Sequence, residues 1–545
     1  MTVAAAAPAV AQPMTHGTQP GTLHAPLESA DRCTECHAGL MTPSGDPYLP
    51  ADLWPPSMHA NAVRDPLFLA TLSVAEQQAP GTGVLCLRCH APVAFTGGRA
   101  ADGYGRRLDA TLGDRDGVHC DTCHRSTVDA ADGNAPYLSN AQLTYSDGVD
   151  GGIPTRFGPR EDPFTSPRHP SQGSAWIEDS RLCGQCHNVD HPTQHRLNAD
   201  GSDTGLPFPL QSTFAEWVQS DFARRSEPRT CQNCHMPDVE GPNMATTRIP
   251  NAPLREGIPR HDFFGGNEWA MAMMRNADPG AMDTAYDTAR AGVQASLRSA
   301  ATLAITQVPT TGAAGATVQL VVRVTNTTGH KLPTGFEDAR LMWLQVQVGS
   351  TVVSGAYADA EFVRDAQARV YEFQPGHIVN GQAVPSDFVV QHSVVLSDTR
   401  IPPLGMRADA RTAPVGRDYA GGADGTLRNY DDATFRITLP ATAGAVPVTV
   451  RLMYRATTKH YVDAIAAADT ADTRGRDIQR IFAATQQAAP YPMATATAMI
   501  NVSAADASGG GVSCAVRTPS TSTRAPLGLV GAALAAWALR RRRRS

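Results

Sequence analysis

The chain has 545 residues, more than one ordinary core supports, so two or more domains of about 100 to 200 residues are expected. Hydrophobic residues make up 42% but aromatics only 6%, a thin supply of large core side chains for this length. The net charge is -6, and without the terminal arginines 540–544 the balance is 41 basic against 52 acidic residues, a body charge of -11 that argues against nucleic-acid binding.

Residues 1–30 are rich in Ala, Pro, Thr and Gly and read as a leader or flexible arm. Ala9-Val10-Ala11 has the small-residue pattern of a processing site, without the basic and apolar regions of an intact signal peptide. Export is therefore expected, with the native start lying upstream of Met1.

From 31 to 279, Pro, Gly and Asp interrupt the chain so often that only short helices fit, as around 62–78 and 213–223. Ten of the eleven cysteines fall here, in five C-x-x-C pairs each followed at once by histidine: Cys33, Cys36 and His37; Cys86, Cys89 and His90; Cys120, Cys123 and His124; Cys183, Cys186 and His187; Cys231, Cys234 and His235. Two thiols at this spacing form thioethers with the vinyl groups of a haem, and the adjacent histidine is then held under the iron. Zinc sites and dithiol redox sites compete for C-x-x-C pairs. A zinc site needs no histidine at a fixed offset, and a redox pair needs one motif rather than five. Five covalent haems c are expected, one per about 40 residues between 33 and 235, and their burial would replace the missing aromatic core.

Residues 280–305 are Ala-rich and low in Gly, with Asp278 and Pro279 placed to start a helix bridging two domains. After it the hydrophobic period becomes two. Val318, Leu320, Val322 and Val324 share one face, and the same alternation recurs at Leu344 to Val348, Phe435 to Leu439 and Val446 to Tyr454. The fold class expected is α+β and multidomain: a haem-packed, mostly helical or irregular domain over 31–279, then an antiparallel β-sandwich over 306–503. A Gly/Ser/Thr linker follows at 504–526, and 527–545 carries an apolar run, 527–539, before the arginines.

Twelve histidines lie outside the motifs. His59, His119, His169, His261 and His330 have contexts that suggest the second axial position on an iron. His119 directly precedes Cys120 and would have to serve a neighbouring haem. His191 and His195 are reserves, while His16, His24, His377, His392 and His460 are read as non-ligating. Met58, Met236 and the methionines of 271–274 read as packing.

The strings SMHANAVRDPLF, GVHCDTCH, SRLCGQCH, TCQNCHMP, NTTGHKLPTG and SDTRIPPLG resemble bacterial multihaem c-type cytochromes with a haem-rich first half and a β-rich second half, over roughly 31–465. The resemblance implies haem ligation by His59, His261 and His330 in particular. If every iron is six-coordinate the chain is an electron carrier, with other redox proteins or extracellular acceptors as partners. The alternative is an oxidoreductase acting on a small nitrogen or sulfur compound at one five-coordinate haem. Related enzymes mark that haem with a lysine ligand or a tyrosine crosslink, and all five motifs here end in histidine. A surface protein using haems as structural staples is a third class.

Cys514, a Thr/Ser/Pro spacer, 13 apolar residues and five arginines close the chain. The apolar run is shorter than the usual span of about 20 residues, and the arginines would keep that end cytoplasmic. This layout resembles MYXO-CTERM sorting tails. It implies processing and lipid attachment near Cys514, and display at the outer membrane or cell surface; a simple C-terminal anchor is the alternative.

Overall fold

The computed structural model describes residues 16–504, apart from 129–138, 149–151, 164, 165, 167, 242, 250, 251 and 281. The expectations for the first fifteen residues, the linker from 505, Cys514 and the apolar and basic tail fall outside the described residues.

Short helices separated by turns make up the first part, as the density of Pro and Gly dictates. The longest before residue 268 is Pro66–Gln78, where Pro66 opens the first turn and the Asp65 carboxylate accepts from the Leu67 and Phe68 amides at 2.8 and 3.3 Å. The helix expected around 213–223 is two, Thr213–Val218 and Asp221–Arg224, because Ser220 caps a new start through the Phe222 amide. One expectation fails here. Residues 189–211 form two nine-residue strands, Val189–Leu197 and Asp203–Gln211, paired antiparallel. Their prolines and polar residues hide the alternation that marks a strand, and they extend a sheet built from Phe373–Val379, Gln382–Pro385 and Val394–Asp398 of the later sequence.

The expected bridging helix is also shorter. Helix Glu268–Ala277 ends before Asp278, and a second helix, Asp283–Ser299, follows the Pro279-Gly280 break. Ala301–Gln307 then becomes a strand, because it pairs antiparallel with Thr317–Asn326.

Strand registers follow the period-two reading. Thr317–Asn326 lies between Ala301–Gln307 and Tyr430–Thr438, with Val322 opposite Ala433. A second sheet runs Thr311–Ala313, Tyr491–Ser503, Gly444–Arg455, Leu341–Val348 and Thr351–Ser354, with Val346 opposite Val450. Leu320, Val322, Val324, Leu344, Val346, Phe435, Ile437, Val450 and Leu452 are all buried in one hydrophobic cluster shared by the two sheets. Each such side chain contributes at most roughly 1.5–3 kcal/mol by its removal from water.

Helices Lys459–Ala468 and Arg474–Ala484 leave this β region and pack on Pro66–Gln78. Ser73 donates to Asp469 at 2.9 Å and Gln77 to the Ala468 carbonyl at 3.0 Å. Residues 16–504 accordingly form one compact unit, in which the helix beside the second motif is held by the last third of the chain.

Candidate haem-binding site

Every motif sits on a helical turn, and the turn explains its spacing. Cys120–His124 and Cys231–His235 are five-residue helices, Thr82–His90 ends on the second motif, and the His37 and His187 amides donate to the Cys33 and Cys183 carbonyls at 3.0 and 2.9 Å. One turn brings positions i, i+3 and i+4 to the same face, so both thiols and the imidazole point one way. Capping residues stand just before the motifs: Thr230 forms a capping box with Asn233, and Asp179 accepts from the Arg181 amide at 2.8 Å.

Four of the five motif histidines have Nδ1 on a backbone carbonyl: His37 on Ala245 at 2.9 Å, His90 on Ala62 at 2.8 Å, His124 on Phe157 at 2.7 Å and His235 on Phe264 at 2.7 Å. A carbonyl only accepts, so Nδ1 carries the proton and Nε2 is left as the metal-binding lone pair. His187 differs. Its Nδ1 meets the Gln211 side-chain amide at 3.3 Å. Burial, reinforced by neighbouring imidazoles, holds His187 down to about 4 and His59 and His261 down to about 3, so these rings are in the neutral, ligating form at neutral pH.

The non-motif histidines are not equivalent. His59 faces His187 with ring centres 6.1 Å apart, and His261 faces His124 at 6.3 Å. Two imidazoles bound to one metal at about 2 Å each have centres roughly 6 Å apart, so both pairs suit a shared iron. Phe263, at the strained φ of 52°, stands between them, 4.4 Å from the His59 ring and 5.6 Å from His261. His330 lies within electrostatic reach of His235, and His169 of His37 and His124. His119 is also tied into the backbone. Its Nδ1 accepts the Asp121 amide at 3.2 Å, capping Cys120–His124, and its Nε2 is enclosed without a partner. Its charged neighbours are Asp121, Asp116 and Arg125 rather than a motif histidine. Of the reserves, His191 accepts the Thr193 and Gln194 amides at 3.2 and 2.9 Å, and exposed His195 pairs with Asp203 at 2.8 Å. Among the described residues no candidate distal histidine makes a ring contact with His90; its ring stacks on Phe68 at 3.8 Å.

A buried ionic cluster fixes the loop that bears His330. Lys331 Nζ meets Asp398 at 2.6 Å, Arg400 binds Asp398 at 2.8 Å and Glu216 at 2.9 Å, and the Lys331 amide donates to Glu216 at 3.0 Å. All four side chains are almost wholly buried, and Glu216 comes from helix Thr213–Val218, which follows the strand pair after the fourth motif. The sequence gives no sign of this clamp, nor of the carbonyls that orient the motif histidines.

All fifteen motif cysteines and histidines, together with His59, His119, His169, His261 and His330, line a single cavity of about 2360 Å³. A site for one small ligand ordinarily encloses about 300–1,000 Å³, so this one holds several. Among the described residues the Cys, His, Asp and Glu side chains do not converge in threes or fours as a tetrahedral metal ion requires. Between motifs the thiols come within interaction range: Cys33 of Cys120, Cys89 of Cys186, and Cys183 of Cys231, while Cys123 is close to both Cys183 and Cys186. Paired thiols facing a shared void, neutral imidazoles with Nε2 free, and opposed rings at 6.1 and 6.3 Å fit covalent haem.

Residues 32–125, which contain the first three motifs, match the family model described as cytochrome c554 and c-prime. The match supports a multihaem c-type cytochrome. No curated protein matches the chain. Among solved structures, a penta-heme cytochrome c552 from Thermochromatium tepidum aligns over 87% of this chain and 99% of its own, at 18% identity and a TM-score of 0.46, a likeness too loose to carry an argument. A cytochrome of this type binds haem c and exchanges electrons with redox partners.

Proposed function

We propose that the chain binds five haems c and conducts electrons through them, as an exported protein at the cell envelope or surface. The observation that carries this is the single cavity onto which all five motifs open. When bound, the haems supply one-electron exchange at iron. The protein's part is to hold them in contact and orient their ligands. His59 with His187 and His261 with His124 would each hold one haem iron, as would His330 with His235 and His169 with His37. The thiol contacts support a branched order: the first motif adjoins the third, the third adjoins the fourth, and the fourth adjoins both the second and the fifth. The two sheets of 301–503 are read as a β-sandwich that closes over the fifth haem through His330. A coulometric titration of the loaded protein should take up five electrons per chain; uptake of one or two would sink the reading.

One observation favours a second reading. His90 has its Nδ1 fixed by the Ala62 carbonyl, and among the described residues its ring contact is with Phe68 rather than with a candidate distal histidine, although His59 lies within electrostatic reach. An open iron there would admit a small nitrogen or sulfur compound. A high-spin fraction of one haem in five, shifted by nitrite, cyanide or sulfite, would support catalysis at this position, and a fully low-spin spectrum would rule it out.

For the tail, the reading is processing near Cys514 with lipid attachment. Cys514→Ala should release the protein from membranes or leave it unprocessed. An intact peptide across 525–537 in surface-located protein would contradict this.

A further inference from the structure

The histidines differ in what holds their outer nitrogen, and one pair stands apart. His124 and His261 rest Nδ1 on the Phe157 and Pro259 carbonyls at 2.7 and 2.9 Å, and His235 and His330 on Phe264 and Lys331 at 2.7 and 3.0 Å. His37 and His169 rest on Ala245 and Pro170 at 2.9 and 3.2 Å. Neither member of the remaining pair has such a carbonyl. His59 makes no side-chain hydrogen bond among the described residues, and His187 meets only the Gln211 amide at 3.3 Å. If His187 binds through Nε2, its Nδ1 is a donor and Gln211 must turn its carbonyl oxygen toward it, since the two ends of a side-chain amide occupy the same space.

A strong acceptor on Nδ1–H makes an imidazole more basic, and a more basic ligand stabilises the oxidised iron. The His59 ring, lacking that support, and the His187 ring, whose acceptor stands off at 3.3 Å, donate least. Position adds a consequence. Cys183 lies within interaction range of Cys231, Cys186 of Cys89, and Cys123 of both Cys183 and Cys186, so the fourth motif is where the array branches.

Resting on the axial reading above, we propose that the haem bound by Cys183, Cys186, His187 and His59 is the most oxidising of the histidine-paired haems and collects electrons at the branch point, with Gln211 setting its potential. Gln211 ends strand Asp203–Gln211, its backbone carbonyl accepts from Arg411 at 2.8 Å, and its side chain is free to be changed without removing a ligand. The array then gathers electrons at its centre rather than passing them down a uniform chain.

The test is a redox titration of the fully loaded protein followed by low-temperature electron paramagnetic resonance. The low-spin signal missing from His59→Ala identifies the haem; should that variant fail to mature, His59→Met keeps a ligand atom and marks the same haem by a changed signal. In the unaltered protein this signal should be the first of the low-spin signals to disappear on reduction. Gln211→Glu, which places a carboxylate on Nδ1–H, should move it alone to lower potential, so that it is no longer first. If it disappears after another histidine-paired haem, or is unmoved in Gln211→Glu, the proposal is overturned while the axial pairing stands. If neither His59 variant alters any low-spin signal, the pairing fails and the proposal falls with it.

Discussion

Asp398→Asn tests whether the β region truly fixes the His330 loop. Burial alone would raise the Asp398 pKa, but Arg400 and Lys331 outweigh it and hold the carboxyl down to about 2. Against about 3.9 in an unfolded chain, a shift of nearly two units corresponds to about 2–3 kcal/mol. Because the folded pKa is the lower one, this stabilisation is fully present above about pH 4 and is lost as pH falls through about 2. Asparagine preserves the shape and removes the charge, leaving Arg400 with Glu216 and the Lys331 ammonium without the Asp398 carboxylate. A buried ion pair broken on one side costs about 3–5 kcal/mol. Denaturant unfolding of the haem-loaded variant at pH 7 should show that loss, with a weaker acid limb between pH 4 and 2 and a new high-spin signal as His330 is released. The comparison is Asp432→Asn, whose partner Arg323 is 41% exposed; that change should cost less than about 1 kcal/mol. If Asp398→Asn also costs less than about 1 kcal/mol, the cluster does not clamp the loop.

Further predictions concern the ligands and a helix cap. His261→Ala should convert one low-spin haem to high-spin, whereas His119→Ala should leave every spin state unchanged and cost about 1 kcal/mol through its lost cap; magnetic circular dichroism and thermal unfolding separate the two. Asp65 is raised to about 6 by burial, against the pull of the Phe68 and Leu67 amides and of Arg340. Its contribution to stability is therefore full below about pH 4 and lost as pH rises through about 6. Asp65→Asn keeps the helix cap and should flatten the stability curve between pH 4 and 6, gaining up to about 2 kcal/mol at pH 8. An unchanged curve would contradict the burial of that carboxyl.

How much was legible follows from the range of each signal. The five motifs are local: one turn fixes Cys, Cys and His, so the sequence shows them completely. Strand Thr317–Asn326 was legible because Leu320, Val322 and Val324 alternate with polar residues. Ala301–Gln307 was not, since Ala-rich composition favours a helix and only pairing with Thr317–Asn326 makes it a strand. Strands Val189–Leu197 and Asp203–Gln211 were hidden by their prolines. His261 and His59 were visible as candidates, but which motif histidine each faces depends on contacts between distant segments. His119 was visible as a candidate too, and its capping of Cys120–His124 shows only once the turn is built. The carbonyls of Ala62, Phe157, Ala245 and Phe264 left no trace, because any residue supplies a backbone oxygen.

The central claim is that every motif carries its haem in one shared cavity, and the most direct measurement is the intact mass of the matured, denatured protein with a pyridine haemochrome count on the same sample. Covalent haem survives unfolding, so the account requires five haems per chain and no free motif thiol. A full-length matured chain carrying four or fewer would contradict it.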